Sequence, residues 1–201
     1  MNDRGKETSQ RILAAALEEF SDLGYHGARV DSIARKAGVN KQRIYAYFGS
    51  KEALFSDVLK ECFEGIVERE SALESLCDAD MKHMAGIILR HYMDFHIRNP
   101  HFWRLVAREN LGGGAHMLQL KDVRRRTLDH IRKLYGRAQE SGVFRKDVSF
   151  ETFFYVLSAL PFFYFSNQRT MTHILDIDMS DPAVRDRLVA ESLAMLSLDG
   201  A

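Results

Sequence analysis

The chain has 201 residues, 46% of them apolar, and only two cysteines, Cys62 and Cys77, so its length allows one large or two modest domains with a substantial core and no disulfide framework. No apolar run approaches the roughly 18 residues of a membrane span, and Phe153 to Phe165, the most apolar stretch, is short and contains Pro161. With no secretory leader or CxxC pair, a soluble cytoplasmic protein without a membrane partner is expected. The 28 basic and 28 acidic residues cancel, which excludes a globally basic nucleic-acid binder but not a local one. Between Gly27 and Lys51, Arg29, Arg35, Lys36, Lys41, Arg43 and Lys51 face the single acid Asp31.

In chain order, Leu13, Ala16, Leu17 and Phe20 recur at helical spacing and predict a first helix from about Lys6 to Leu23, with Gly24 as a left-handed C-cap. Further helices are predicted near 30–37, 41–47, 51–76, 80–98, 101–110, 117–141, 149–169 and 182–197, with loops at Gly112–Gly114 and Asp176–Pro182. Ser180 or Asp181 can cap the last helix, with Pro182 in its first turn. Alternating β-branched runs are missing, so the fold class is all-α. The composition divides into residues 1–50, a compact basic block, and residues 51–201, which are aromatic-rich, with the 51–76 helix as the connection.

Two short helices meet at Gly38, where a tight turn suits a residue that enters the left-handed region freely. Ile33, Ala34, Ala37, Val39, Ile44 and Phe48 supply a small core against the first helix, and Asn40 is placed to cap the second. With Ile44 and Phe48 inward, helical geometry turns the intervening residues outward. Gln42 and Arg43 are then candidate base readers, because Arg forks onto guanine and Gln pairs with adenine, and Ala46 offers a methyl-sized contact to thymine. Lys41, Tyr45, Tyr47 and Lys51 suit phosphates, which set register without reading sequence. The alternative is an ordinary helical pair with a solvated basic face.

The stretch from Arg11 to Leu54, with Arg-Ile-Leu-Ala-Ala-Ala-Leu-Glu-Glu-Phe, Gly24-Tyr25, Ile33-Ala34, Ala37-Gly-Val, Ile44-Tyr-Ala-Tyr-Phe and Ser50-Lys-Glu-Ala-Leu, closely resembles the N-terminal domain of the TetR/AcrR family of bacterial regulators. The resemblance implies a three-helix helix-turn-helix DNA-binding domain followed by a larger helical ligand-binding and dimerisation domain. It places Tyr45, Tyr47 and Lys51 at common phosphate positions and Gln42 and Arg43 at positions facing bases. Arg29 departs from the pattern: a small hydroxyl residue usually starts the second helix and binds a phosphate there. Its capping role is therefore open, while its side chain stays a candidate DNA contact.

Past residue 76 the resemblance is architectural. Ile87, His91 and Phe95 share one helix face, so His91 and Phe95, with Trp103, Asn110, Tyr155 and Phe163, are candidate lining for an effector pocket; core packing is the competing reading of such aromatics. The family pattern makes 149–169 and 182–197 the homodimer helices. Phe154, Leu157, Pro161 and Phe165 form one apolar stripe, and Leu188, Leu193 and Leu196 supply another, each alternatively an internal core face. The reading implied is a repressor, repression being the commoner family mode, that leaves a palindromic operator when a small molecule binds. No cofactor or metal is expected, and no catalytic motif is present to make an enzyme.

Overall fold

The computed structural model describes residues 3–70, 72–120 and 125–196. Its helices are α1 (Asp3–Gly27), α2 (Val30–Ala37), α3 (Lys41–Phe48), α4 (Lys51–Glu70), α5 (Met84–Arg98), α6 (Pro100–Leu111), α7 (Arg125–Glu140), α8 (Phe150–Leu175) and α9 (Pro182–Leu196), with short 3-10 segments at Leu73–Ser75, Asp78–His83 and Ala115–Leu120. No β-sheet occurs among the described residues, which agrees with the all-α expectation. Parts of the predicted helices 51–76, 117–141 and 182–197, at residues 71, 121–124 and 197, lie outside the described residues.

The chain forms two compact units, Met1–Val67 with Pro100–Val123, and Glu68–Asn99 with Arg124–Ala201. In the first, Ile12, Ala16, Phe20, Ile33, Ile44 and Phe55 pack into one core, which Leu105 of α6 joins. Packing thus gathers α6 and most of α4 with the basic block of residues 1–50. Gly24, with φ 70°, interrupts α1 where the C-cap was expected, but helical hydrogen bonding resumes to Gly27. Gly38, with φ 64°, is the left-handed C-cap of α2, and Asn40 Oδ1 accepts from the Arg43 N–H at 2.8 Å to start α3.

The second unit is built on α5 and α8, with Ile88, Leu89, Leu134, Tyr135, Phe153 and Leu157 at its centre. α4 stops at Glu70, short of the 76 expected, and Leu73 and Leu76 turn into this core. A new cap follows at once, because Asp80 Oδ2 accepts from the Cys77 N–H at 2.9 Å. Ser149 Oγ accepts from the Thr152 N–H at 3.1 Å and starts α8. Asp181 Oδ1 accepts from Ala183 N–H at 2.8 Å, so of the two candidate caps for α9 it is Asp181 that serves.

The structure turns the predicted dimer stripe of α8 inward. Leu157 and Pro161 are buried, and Phe154 and Phe165 pack against the same core, so that stripe of α8 faces inward. Leu188, Leu193 and Leu196 of α9 also pack against this core. The face left outward carries Tyr155, Phe163 and Ile174 on α8 and Met195 on α9. The helical period explains the difference: residues 155, 163 and 174 lie on a different stripe from 154, 157, 161 and 165.

Candidate nucleic-acid interface and effector cavity

In α3, Ile44 is fully buried while Lys41, Gln42, Arg43, Tyr45 and Ala46 are exposed. One buried anchor in an eight-residue helix leaves the rest of its circumference free for a groove. Tyr47 is half-buried against the core of its unit. Lys41 Nζ lies 3.0 Å from Asp31 Oδ2, which by hydrogen bond and charge holds its pKa above the ordinary value. This pair is exposed and therefore weak. Lys51 sits 4.8 Å over the Tyr25 ring, and burial pushes its pKa down.

Arg29 is the N-cap of α2 and its side chain makes no cap bond. A carboxylate of α1 braces the start of this helix instead, through the N–H of the N-cap residue itself and a side chain of the first turn. Glu19, only 4% exposed, takes the Arg29 N–H on Oε1 at 3.5 Å and the Ser32 hydroxyl on Oε2 at 2.9 Å. Lys36 Nζ closes the cluster at 3.1 Å from Glu19 and 3.0 Å from Glu18. Burial raises the Glu19 carboxyl pKa, but the bonds from Lys36, Ser32 and the Arg29 backbone outweigh it and leave it lowered. A carboxylate here also faces the positive end of α2. The Arg29 side chain remains exposed. Sequence reasoning passed over Glu19; the signal was an acid in the same helical register as the core residues Ala15, Ala16 and Phe20.

The six candidate effector residues divide between the two units. Trp103 and Asn110 lie on α6 in the first unit, where Arg104 stacks 5.4 Å from the Trp103 ring and Asn110 is exposed. In the second unit Phe95 is buried beside His96, and the half-buried His91 meets Tyr92 edge-on at 5.6 Å. Tyr155 is 73% exposed. Phe163 alone of the six lines an apolar cavity of about 190 Å³, walled by Leu89 and Met93 of α5, Leu160 and Met171 of α8 and Val189 of α9. Met179, in the turn between α8 and α9, lines it too.

An exposed basic helix on a buried anchor, preceded by a glycine turn and a second short helix, defines a helix-turn-helix DNA reader. Comparison with known proteins agrees. Residues 12–58 match the model for bacterial regulatory proteins of the tetR family, and residues 83–195 match the tetracyclin repressor-like C-terminal domain. The HTH-type transcriptional repressor NicS of Pseudomonas putida is 32% identical over 177 residues, 87% of this chain and 83% of that protein. Its counterpart SCO4008 of Streptomyces coelicolor is 32% identical over 76% of each chain. Among solved structures, the transcriptional regulator SCO4942 of Streptomyces coelicolor superposes with a TM-score of 0.71 at 29% identity, covering 94% of this chain and 97% of that one. The chain belongs to the tetR family and is a DNA-binding regulator of transcription. No described helix is long and apolar enough to cross a membrane.

Proposed function

We propose that the protein is a homodimeric repressor that holds a palindromic operator with residues 1–50 and releases it when a small molecule binds within residues 51–201. The exposed Gln42-Arg43 pair beside the buried Ile44 carries the DNA half of this reading. Gln42 and Arg43 read bases, Ala46 meets a thymine methyl, and Arg29, Lys41, Tyr45, Tyr47 and Lys51 grip phosphates. Repression is supported by NicS and SCO4008, both repressors by name. Dimerisation through α8 and α9 is supported by the outward apolar residues Tyr155, Ile174 and Met195, which water alone covers in a single chain. A coupling of about 1–3 kcal/mol between effector and operator suffices for a roughly 5- to 150-fold change in affinity.

Selection of bound sequences from random duplex DNA tests the reading. A palindrome is expected, with half-sites about one DNA turn or a multiple apart. Arg43→Ala and Gln42→Ala should each relax preference at defined half-site positions, at a cost of about 1–3 kcal/mol for the preferred sequence. Lys41→Ala should instead weaken all sequences alike and flatten the salt dependence. Failure to enrich any site at low salt would refute the DNA assignment.

A further inference from the structure

Resting on the reading that a small molecule is sensed within residues 51–201, we propose that the effector site is the cavity between α5, α8 and α9, and that its ligand is a compact, uncharged aromatic molecule with at most one hydroxyl. Size argues first. At about 190 Å³ the cavity is somewhat larger than an engineered apolar cavity of about 150 Å³ that stays dry and takes up benzene. One ring with a small substituent, or a compact bicycle, fits such a space.

Chemistry narrows the class. No charged side chain lines the cavity, so a carboxylate or ammonium entering it would lose its hydration without a partner. Met93, Met171 and Met179 all line it, and thioethers are adaptable and make favourable contacts with ring edges. Among the polar groups, the Tyr164 hydroxyl is already committed to the Met179 carbonyl. Ser192 Oγ is left as the group that can meet a ligand hydroxyl.

The cavity is also built rather than incidental. Its Met179 wall belongs to a turn that α8 holds at three points: Tyr164 OH and Gln168 Nε2 both donate to the Met179 carbonyl, the latter at 2.8 Å, and the Met179 N–H donates to Thr172 Oγ1 at 3.2 Å. A wall pinned in this way keeps its shape, so the apolar lining stays in contact with water until something occupies it. Phe163 and Leu175 are its most exposed lining residues.

The test uses the full-length protein with 13C-methyl methionine, titrated with toluene, p-cresol and benzoate, beside operator titrations with and without each probe. Toluene and p-cresol should shift the Met93, Met171 and Met179 methyl signals saturably, leave Met81 and Met117 unmoved, and weaken operator binding at least fivefold; benzoate should do none of these. Val189→Phe, which fills the cavity, should abolish the shifts while unfolding at the wild-type temperature or above. Should that variant misfold, Ser192→Ala gives an independent reading, lowering p-cresol affinity roughly 3- to 10-fold, the worth of one hydrogen bond, without changing that of toluene. Absence of saturable shifts, or equal binding of benzoate, overturns the site or its ligand class. Saturable shifts with unchanged operator affinity overturn the effector role. Operator binding without probe reports separately on the repressor reading, and so does release by an effector that leaves the three methyl signals unmoved.

Discussion

Glu19 shows how a single buried acid can brace the start of a neighbouring helix. Its carboxylate accepts from the N–H of Arg29, the N-cap residue of α2, and ties Ser32 and Lys36 to α1. Glu19→Ala should therefore lower stability by about 1–2 kcal/mol, the usual range for loss of a cap or a buried acceptor, and weaken operator binding with it. Thermal unfolding and operator titration read the two effects. Because the folded-state pKa lies below the ordinary 4.5, the Glu19 contribution is fully present above that value and is lost as pH falls through the lowered one. The variant should accordingly flatten the acid limb of the stability profile. Cysteine chemistry separates at the same scale: burial pushes Cys62 up to about 12, whereas Cys77 is exposed. Alkylation of the native protein near pH 8, followed by mass mapping, should label Cys77 and spare Cys62 until unfolding.

At the scale of elements, α5 and α8 bury a histidine among rings. His96 lies 5.5 Å from Phe165 in a stacked arrangement, with Phe95 and Phe162 edge-on, and burial pushes its pKa down from 6.5 to about 4. The unfolded chain thus binds a proton between those values that the folded one refuses. Stability should be complete above about pH 6.5 and fall toward pH 4, by on the order of 3 kcal/mol over the whole window. Denaturant unfolding across that range measures the slope, and His96→Phe should remove most of it. α8 also contains Pro161 in its interior. The proline ring leaves the Leu157 carbonyl without its intrahelical donor, a cost of the order of 3 kcal/mol in an isolated helix. Burial of Leu157 and Pro161 in the core offsets it here.

For the molecule as a whole, the proposed dimerisation rests on the outward residues of α8 and α9. Tyr155, Ile174 and Met195 are 73%, 67% and 85% exposed, and a second copy related by a two-fold axis would bury the same residues on both chains. Tyr155→Asp combined with Met195→Asp should shift sedimentation from dimer to monomer while leaving the helical circular dichroism unchanged. Operator affinity should fall steeply, since each half-site would then be held alone. The inward-facing substitution Leu157→Asp should instead unfold the second unit, which distinguishes the two stripes of α8 experimentally.

The helix-turn-helix was readable because its determinants are local: Ile44 and Phe48 four apart, a glycine where the turn needs positive φ, Asn40 one residue before α3, and basic residues on the remaining face. Helix positions elsewhere followed from the same 3.6-residue period, with ends that shifted where a cap such as Cys77–Asp80 or a pair of buried leucines such as Leu73 and Leu76 competed. Period alone does not say which of two apolar stripes meets the core. On α8 both Leu157 and Tyr155 lie on plausible faces, and only packing against α5 turned one in and left the other out. The Glu19 cluster and the methionine-lined cavity were hidden for a related reason. Each joins residues distant in sequence, Glu19 to Arg29 and Ser32, Leu89 to Val189, and such encounters exist only once the chain has folded.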